Sequence, residues 1–549
     1  MLRRILGTGV PAVLFFAMLL ASPAFAQTHA SVLVVGGTPA GVAAAVTAAR
    51  QGSDVTLVGA DPVLGGILTD AMMDQWDVNV APDGAAIQGG LFREVHAALG
   101  DAFTPSDAAR YFAQLVLSEP RIHVVLQARP IAVQTVAEND SHPVADASGR
   151  AVESVTFARA DGRTFTLRAD AVVDATDDGD VAALAGARYD LGRQDTGVDE
   201  RMQAVTLMFT LRGVDWSALA AHYDAAAYGP GGAGARRAWG YATLLADYRP
   251  LSPDVVVRDL NLGREPTGTV TVNAVDVLGI DALSEADLAR ARTLSEHETP
   301  HLIAFLRARL PGAEHATLGR YASAVYVRET RHFAGVERLT AEDVWGGAIP
   351  ADTIGLSSYP LDLHPVTATD HLAYAPLRHV YGIPFGTMVP RDLANVILAS
   401  PAISATHLAA GSARVIPTTI EEGEAAGIAA ALDRPSFDRL RMTGERLRMT
   451  GDRLRMTGGA SRHPELVEGR EDLGAIARDP VAVAAIRETL LRDGAILAYR
   501  PQDALPAGRN GRVNDVARLS GTGSGKEGTV DRDEGVYGTR RGVADRVGR

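Results

Sequence analysis

Two stretches of the chain carry the side chains best suited to acid–base chemistry and to binding an anion. One is "VRETRHF", a dense polar cluster that contains Arg328, Glu329, Arg331 and His332. Arginine stays charged and holds carboxylates in a two-pronged contact, while histidine exchanges protons near neutral pH. The cluster predicts one of two arrangements. Either these side chains line a substrate cleft, or they form an ion-pair network that joins two domains.

The other stretch is "HLAAGSARVIPTT". His407 is a candidate proton acceptor, because the unperturbed pKa of histidine is close to neutral. A histidine with a purely structural hydrogen bond is the alternative. Pro417 suits the first position of a helix, whose N-terminal dipole adds a positive end. The candidate catalytic residues are therefore His407, Arg414, Arg331 and His332.

A metal site is not predicted. Asp362 and His364 in "YPLDLH" would share one face if that segment is extended, but no third ligand is evident. The chain contains no cysteine, which excludes disulfides, thiolate zinc sites and a cysteine-ligated 4Fe–4S cluster.

Residues 31–59 predict the unit that would position this chemistry, a strand, a turn, a helix and a second strand. "SVLVV" is a continuous apolar run, typical of a buried parallel strand, and "AGVAAAVTAARQG" is an alanine-rich helix ending at Gly52. A β–α–β unit of this kind is the building block of dinucleotide-binding domains. The turn between strand and helix consists of Gly36, Gly37, Thr38, Pro39, Ala40 and Gly41.

This turn departs from the usual G-x-G-x-x-G pattern. Thr38 occupies the position of the middle glycine, where its hydroxyl could donate to a phosphate. Gly59 occupies the position of the acidic residue that normally binds a ribose, and Asp61 is a possible substitute. A glycine turn without a nucleotide is the alternative interpretation.

Two further turns follow predicted strands. "LGGILTD" provides Gly65, Gly66 and Thr69, and "VVDATDDGDVAALAGA" provides Ala175, Thr176, Asp178 and Gly179. Three turns in one domain fit the long FAD molecule better than NAD. Ala128, within the strand-forming stretch "IHVVLQARPIAVQTV", is a further candidate cofactor residue.

The order of these motifs resembles that of bacterial FAD-dependent oxidoreductases, a family related in fold to the flavoproteins of succinate dehydrogenase and fumarate reductase. The resemblance covers residues 31–432 and is also carried by "VTLMFTLRGVD", "SSYPLDLH" and "YGIPFGTMVPRDLANVILASPAISATHLAAGSARVIPTTIEEGEAAGIAAAL". It implies an α/β fold, a glutathione-reductase-like Rossmann FAD-binding domain with an inserted α+β substrate domain. It also implies hydride transfer from a small organic substrate to flavin N5.

The resemblance further implies that Arg414 lies near the isoalloxazine ring, where it would stabilise the reduced flavin, and that Pro417 and Thr418 bind the cofactor. Asp177 is a departure, because the family usually has glycine there and a carboxylate would repel the pyrophosphate. A flavin-binding protein with impaired or lost catalysis is therefore the alternative function. An NAD(P)-dependent enzyme is disfavoured by the order of the motifs.

The chain-wide features predict an exported protein. "MLRR", a short apolar run and "SPAFAQ" are typical of a signal peptide cleaved after Ala26, and Arg3–Arg4 is compatible with twin-arginine export. This implies a periplasmic or secreted enzyme with no stable membrane span after cleavage. The net charge of -13 disfavours nucleic acid as a partner. The expected partners are a small-molecule substrate and an electron acceptor that the sequence does not identify.

The remaining patterns predict the organisation of the chain. "EADLARARTLSEHETPHLIAFLRARL" predicts a helix split in two by Pro300, and "NVILAS" predicts one more strand of the first sheet. The predicted segments are a signal peptide (1–26), an FAD-binding domain in two parts (31–195 and 371–435), an inserted substrate domain (196–370), a low-complexity repeat insertion (436–470), a C-terminal helix (471–500) and a disordered tail (501–549).

Overall fold

The described part of the chain, in a computed structural model, comprises residues 29–137, 150–370, 373–432 and 473–499. The predicted signal peptide, repeat insertion and C-terminal tail lie outside these residues. Within the described ranges, none of the helices combines the length and the apolar character that a membrane crossing needs.

Helices and strands are numbered here in chain order. The strands are β1 (His29–Val35), β2 (Val55–Val58), β3 (Ile122–Val125), β4 (Ala128–Ala137), β5 (Arg150–Arg159), β6 (Thr164–Asp174), β7 (Tyr189–Leu191), β8 (Val205–Thr206), β9 (Phe209–Arg212), β10 (Gly232–Ala233), β11 (Arg237–Gly240), β12 (Val255–Val256), β13 (Leu260–Arg264), β14 (Val270–Asn273), β15 (Asp276–Val277), β16 (Thr317–Tyr321), β17 (Arg331–Phe333), β18 (Thr353–Ser357), β19 (Leu361–Leu363), β20 (Ala373–Ala375), β21 (Tyr381–Pro384) and β22 (Val396–Leu398). The α-helices are α1 (Pro39–Arg50), α2 (Gly90–Leu99), α3 (Pro105–Leu117), α4 (Asp180–Leu184), α5 (Trp216–Ala221), α6 (Ala225–Tyr228), α7 (Ala242–Leu245), α8 (Glu285–Arg309), α9 (Ala341–Gly346), α10 (His407–Ala413), α11 (Ile416–Ala431), α12 (Leu473–Arg478) and α13 (Pro480–Arg492).

The first sheet has the strand order β3–β2–β1–β6–β5–β4, and β22 pairs with β6. Strands β1, β2, β3, β6 and β22 run parallel, whereas β5 is antiparallel to both β4 and β6. The apolar runs of β1 and β6 are buried in one core with α1 and α11, as expected for parallel strands covered on both faces. The predicted α/β class with a parallel sheet is confirmed, and so is the strand predicted in "NVILAS".

Helices α1 and α11 approach each other through glycine. A Cβ atom at Gly423 would lie 2.2 Å from the carbonyl oxygen of Ala40, and one at Gly427 would lie 2.4 Å from that of Ala44. Side chains at these two positions would force the helices apart. The two helices therefore run in the same direction, with the N-terminus of α1 beside the middle of α11.

A second sheet, antiparallel, has the order β10–β11–β13–β14–β9–β16. It has its own apolar core, to which Phe209, Trp216, Leu262 and Leu302 contribute. The chain enters this sheet after β8 and returns to the first sheet at β22. The segment that connects the two sheets on the return path carries β17 and therefore the cluster at 328–332.

The prediction that Pro300 splits its helix is wrong. Helix α8 runs without a break from Glu285 to Arg309 with Pro300 inside it. Proline cannot donate to the carbonyl one turn earlier, which is that of Glu296. The hydroxyl of Tyr321 donates to this carbonyl oxygen at 3.3 Å instead. A tertiary contact therefore replaces the missing donor, and buried positions such as Leu302 and Leu306 hold the helix against the core.

We expect Tyr321→Phe to lower the free energy of unfolding by about 0.5–1.5 kcal/mol, because the Glu296 carbonyl then lacks a protein donor. In a Pro300→Ala background the same change should cost less, since the backbone N–H of the new alanine can bond to that carbonyl. Urea unfolding of the four proteins measures the coupling. Equal costs in both backgrounds would show that the tyrosine does not compensate for the proline.

The predicted C-terminal helix at 471–500 is two helices, α12 and α13, separated by Asp479. The Asp479 side chain accepts from the N–H of Val481 at 2.9 Å, and Pro480 occupies the first helical turn. An N-cap followed by proline begins a new helix.

Candidate active site

A cleft opens where β1 ends and α1 begins. The three predicted glycine turns and the segment at 407–419 all contribute to its lining, together with the strand-like segment before β17. The lining residues are Thr38, Pro39, Ala40, Asp61, Gly66, Ile67, Asp70, Ala71, Met73, Asp77, Asp177, Asp178, Ala324, Val325, Tyr326, Val327, Arg328, Glu329, Thr330, Ala399, Ser400, Pro401, Arg414, Val415, Ile416 and Thr419.

The first turn contains two glycines, Gly36 and Gly41, at which any side chain would overlap the neighbouring backbone and force it to move. Gly36 has φ of 123°, and a Cβ atom there would lie 2.2 Å from the carbonyl oxygen of Ala175. A Cβ atom at Gly41 would lie 2.0 Å from the carbonyl oxygen of Gly36. These contacts hold the turn against the end of β6 and leave the N-terminus of α1 facing the cleft.

Thr38 is the N-cap of α1. Its hydroxyl accepts from the N–H of Gly41 at 3.0 Å and donates to the carbonyl oxygen of Ala175 at 3.0 Å. The hydroxyl proton is therefore already used, and Thr38 is not the phosphate donor that the sequence left open. The N–H groups of Gly37, Thr38 and Ala40 have no acceptor among the described residues, and that of Ala40, at the N-terminus of α1, is available to an anion.

Six carboxylic residues belong to the cleft lining, and four of them lie close enough to interact: Asp61, Asp70, Asp177 and Asp178. Asp177 is exposed to solvent within the cleft, where the surrounding protein atoms and then the neighbouring charges of Asp178 and Asp61 raise its pKa to about 7. Burial and the charge of Asp61 raise the pKa of Asp70 to about 6, and the two carboxyl groups share a hydrogen bond. The negative charge of this end of the cleft therefore grows as the pH rises through 6 and 7.

Several predicted cofactor residues support the cleft from behind. The Thr69 hydroxyl donates to the carbonyl oxygen of Gly66 at 2.9 Å, and the Thr176 hydroxyl donates to Asp174 Oδ1 at 2.7 Å. Gly179, with φ of 64°, packs against the ring of Phe333. The other predicted residues outside the lining are Gly37, Gly65, Ala128, Ala175, Pro417 and Thr418. Helix α11 begins at Ile416, with proline in its first turn as predicted.

Arg414 lines the cleft but is already paired. Its guanidinium donates to the Tyr326 hydroxyl at 2.8 Å, and to the carbonyl oxygen and Oδ2 of Asp362 at 3.3 Å each. Although burial opposes it, the charges of Tyr326 and Asp362 raise the pKa of Arg414. It therefore keeps a full positive charge, held in one orientation, at this end of the cleft.

The other two arginines form the ion-pair network that the sequence offered as an alternative. Arg328 is 3.4 Å from Asp276 and stacks on the Tyr326 ring, 4.4 Å from its centroid. Arg331 lies outside the lining and donates to the carbonyl oxygen of Asp178 at 2.8 Å and to Asp180 Oδ1 at 3.0 Å. Both therefore tie this segment to its neighbours.

His364 pairs with Asp276 at 2.8 Å, and its distance to Asp362 is 4.0 Å. The charges of His364 and Arg328 outweigh the effect of burial and hold the pKa of Asp276 at about 2. Over the described ranges, no group of three or more metal-binding side chains is close enough to hold an ion.

The two candidate histidines meet on one carboxylate. Glu329 Oε1 lies 2.6 Å from His407 Nδ1 and 2.9 Å from His332 Nε2. The other oxygen of Glu329 accepts from the N–H of Gln203 at 3.1 Å. Although burial alone would raise it, hydrogen bonds from the two rings hold the pKa of Glu329 at about 2. Glu329 belongs to the cleft lining although its carboxylate is buried, whereas His332 and His407 lie outside the lining, so the cluster is behind the wall.

Comparison with known families decides the identity of the chain. A family model described as FAD dependent oxidoreductase matches residues 31–436. The chain belongs to this family. The predicted family, the enzymatic nature and FAD as the cofactor are thereby confirmed.

The chain is also similar, at low sequence identity, to solved structures. The oxidoreductase is similar to p-nitrophenol 4-monooxygenase from Pseudomonas putida, with 13% identity, 90% of this chain and 94% of that chain covered, and a TM-score of 0.37. It is similar to a geranylgeranyl bacteriochlorophyll reductase-like protein from Thermoplasma acidophilum, with 13% identity, 90% and 100% coverage, and a TM-score of 0.37. No curated protein sequence matched the chain.

The backbone that lines the cleft of the oxidoreductase is suited to binding FAD. The closely packed turn at Gly36–Gly41, the unpaired Ala40 N–H and the Gly66 loop would hold the pyrophosphate side. Arg414 and the N-terminus of α11 line the same cleft. The carboxylates of Asp177 and of its neighbours Asp61, Asp70 and Asp178 are the features of this cleft that oppose an anionic cofactor.

Sequence reasoning missed parts of the lining. Asp77 and Tyr326 belong to no quoted motif, Asp70 ends "LGGILTD" but is not among the predicted site residues, and Tyr326 is recognisable only through its contact with Arg414. Glu329 belonged to the predicted cluster, but its contact with His407 joins segments that lie far apart in sequence. No local pattern predicts such a pair.

Proposed function

We propose that this oxidoreductase is exported and oxidises a small organic substrate by hydride transfer to flavin N5, with His407 as the general base. The observation that carries the proposal is the hydrogen bond of His407 Nδ1 to Glu329, a residue of the cleft lining whose carboxylate is buried behind the wall. FAD, when bound, supplies a two-electron acceptor at N5. The chain itself must remove the proton that accompanies the hydride.

The residues around the cleft support this role. Glu329 orients the imidazole of His407, so that the ring's other nitrogen is free to accept a proton. Nε2 of His407 has no hydrogen-bond partner among the described residues. The fixed positive charge of Arg414 favours negative charge that develops at its end of the cleft.

Export rests on the N-terminal stretch alone. "MLRR", the apolar run and "SPAFAQ" support cleavage after Ala26. N-terminal sequencing of the protein from a periplasmic fraction should then begin at Gln27, and an intact N-terminus would contradict this part of the proposal.

The test is anaerobic bleaching of the bound flavin with a panel of sugars, hydroxy acids and amines. With a substrate that bleaches it, we expect His407→Gln to slow flavin reduction by about 10²–10⁴-fold, the contribution of a positioned general base. FAD content should stay the same. His222→Gln is the matched control, since this exposed histidine bonds only to the carbonyl of Ala218.

An unchanged rate in His407→Gln would contradict the proposed base. The alternative, a flavin-binding protein with lost catalysis, is favoured by the carboxylate of Asp177 in the cofactor cleft. It predicts bound flavin that no member of the panel bleaches.

A further inference from the structure

Glu329 is a buried carboxylate with more than a packing role. Its side chain has no exposed surface, and one oxygen, Oε1, is shared by two imidazole rings. The rings come from distant parts of the chain, His332 in β17 and His407 at the first position of α10. A single carboxylate thus connects the cleft wall with both candidate histidines.

The chemistry of this contact determines where the protons are. An ionised carboxylate only accepts hydrogen bonds, so each ring nitrogen that faces Oε1 must carry hydrogen. His407 is then protonated at Nδ1 and His332 at Nε2. The lone pairs remain on Nε2 of His407 and on Nδ1 of His332, and the latter is buried without a partner among the described residues.

The charges around the cluster leave it negative. With both rings neutral, Glu329 contributes one buried negative charge, which is costly to bury and is only partly offset by the charge of Arg193. The neighbouring cations are used elsewhere: Arg328 pairs with Asp276, Arg193 with Asp199 and Asp370, and Arg338 with Asp190 and Asp195. Asp195 itself accepts from the backbone N–H of His407 at 3.1 Å.

We propose that Glu329 is a positioning residue that fixes His407 in the Nδ1–H tautomer and thereby makes Nε2 the atom that takes the substrate proton. His332 holds the carboxylate from the other side. The role of Nε2 rests on the proposed function, whereas the tautomer does not. A merely structural Glu329 would join β17 to α10 and would leave the tautomer of His407 unaffected by its replacement.

The tautomer is measured on the FAD-loaded, full-length enzyme with ¹⁵N-labelled histidine by NMR. Spectra of His407→Gln and His332→Gln assign the two signals. We expect wild-type His407 to carry hydrogen on Nδ1, and Glu329→Gln to shift its population towards the Nε2–H form, because a carboxamide both donates and accepts. Glu342→Gln, at an exposed glutamate in the first turn of α9, is the matched control and should leave the spectrum unchanged.

Wild-type His407 with hydrogen on Nε2 would overturn the proposal, and this measurement needs no variant to fold. A folded Glu329→Gln enzyme with the wild-type tautomer would also overturn it.

A rate measurement adds a second criterion. If Glu329 acts through His407, Glu329→Gln should slow flavin reduction at saturating substrate, and the double variant should be no slower than His407→Gln alone. Fully additive losses would overturn the positioning role. An Nδ1–H tautomer together with an undiminished rate in His407→Gln would instead contradict the proposed base and leave the tautomer assignment standing.

Discussion

Replacing Asp177 with glycine is expected to tighten FAD binding about tenfold above pH 7, on the order of 1–2 kcal/mol. The carboxylate lines the same cleft as the pyrophosphate turn and, once ionised, opposes the two negative charges of a pyrophosphate. Glycine removes the charge and also the side chain. The measurement is the Kd of FAD for the apoprotein, by titration of flavin fluorescence.

The pH dependence of this Kd provides a stronger test. The pKa of Asp177 is raised to about 7, so the group is neutral below that pH and negative above it. Wild-type affinity should therefore fall as the pH rises through 7. Asp177→Gly should lose this decrease and retain only a smaller one near pH 6, where Asp70 and Asp178 ionise.

Two control variants distinguish the effect of the charge at position 177 from the effect of the net charge of the protein. Asp177→Glu keeps the charge at the same position and should bind FAD no better than the wild type. Asp161→Asn removes a charge on an exposed hairpin and should leave the Kd unchanged. If Asp177→Gly binds FAD like the wild type at pH 8.5, the carboxylate does not face the pyrophosphate.

Replacing Gly36 with alanine is expected to have the largest effect on stability. The new Cβ would lie 2.2 Å from the Ala175 carbonyl oxygen, at a φ of 123° that side chains rarely adopt. We expect the free energy of unfolding of the apoprotein to fall by roughly 3–5 kcal/mol, as for backbone overlap combined with strain. Because the turn must then move away from β6, bound FAD should also be lost.

The adjacent glycine is the matched control. A Cβ atom at Gly37 would meet only the Leu64 side chain at 3.2 Å and Gly59 Cα at 3.6 Å, and the leucine can rotate away. Gly37→Ala should cost about 1 kcal/mol or less. Urea unfolding and the FAD-to-protein ratio of the two variants are compared. Equal losses would show that the turn is not held by the contact between Gly36 and Ala175.

The sequence by itself determined the parts of this protein that follow from neighbouring residues. Apolar runs separated by glycine predicted β1, α1 and the turn between them, because a buried parallel strand and a tight turn impose those residue types locally. The proline at 417 likewise marked the start of α11. The order of the turns predicted the family and FAD, both of which are confirmed.

The tertiary structure decided which polar groups remain free to act. Thr38 is unavailable to a phosphate because its hydroxyl already donates to the carbonyl oxygen of Ala175. Arg331 already donates to the carbonyl oxygen of Asp178 in the third turn. Helix α8 continues through Pro300, and the Tyr321 hydroxyl in β16 donates to the Glu296 carbonyl that the proline leaves without a donor. The pairing of Glu329 with His407 joins segments that only the packing of the two regions brings together. Hydrogen-bond partners far apart in the chain leave no local pattern, so the chemical state of these side chains depends on the fold as a whole.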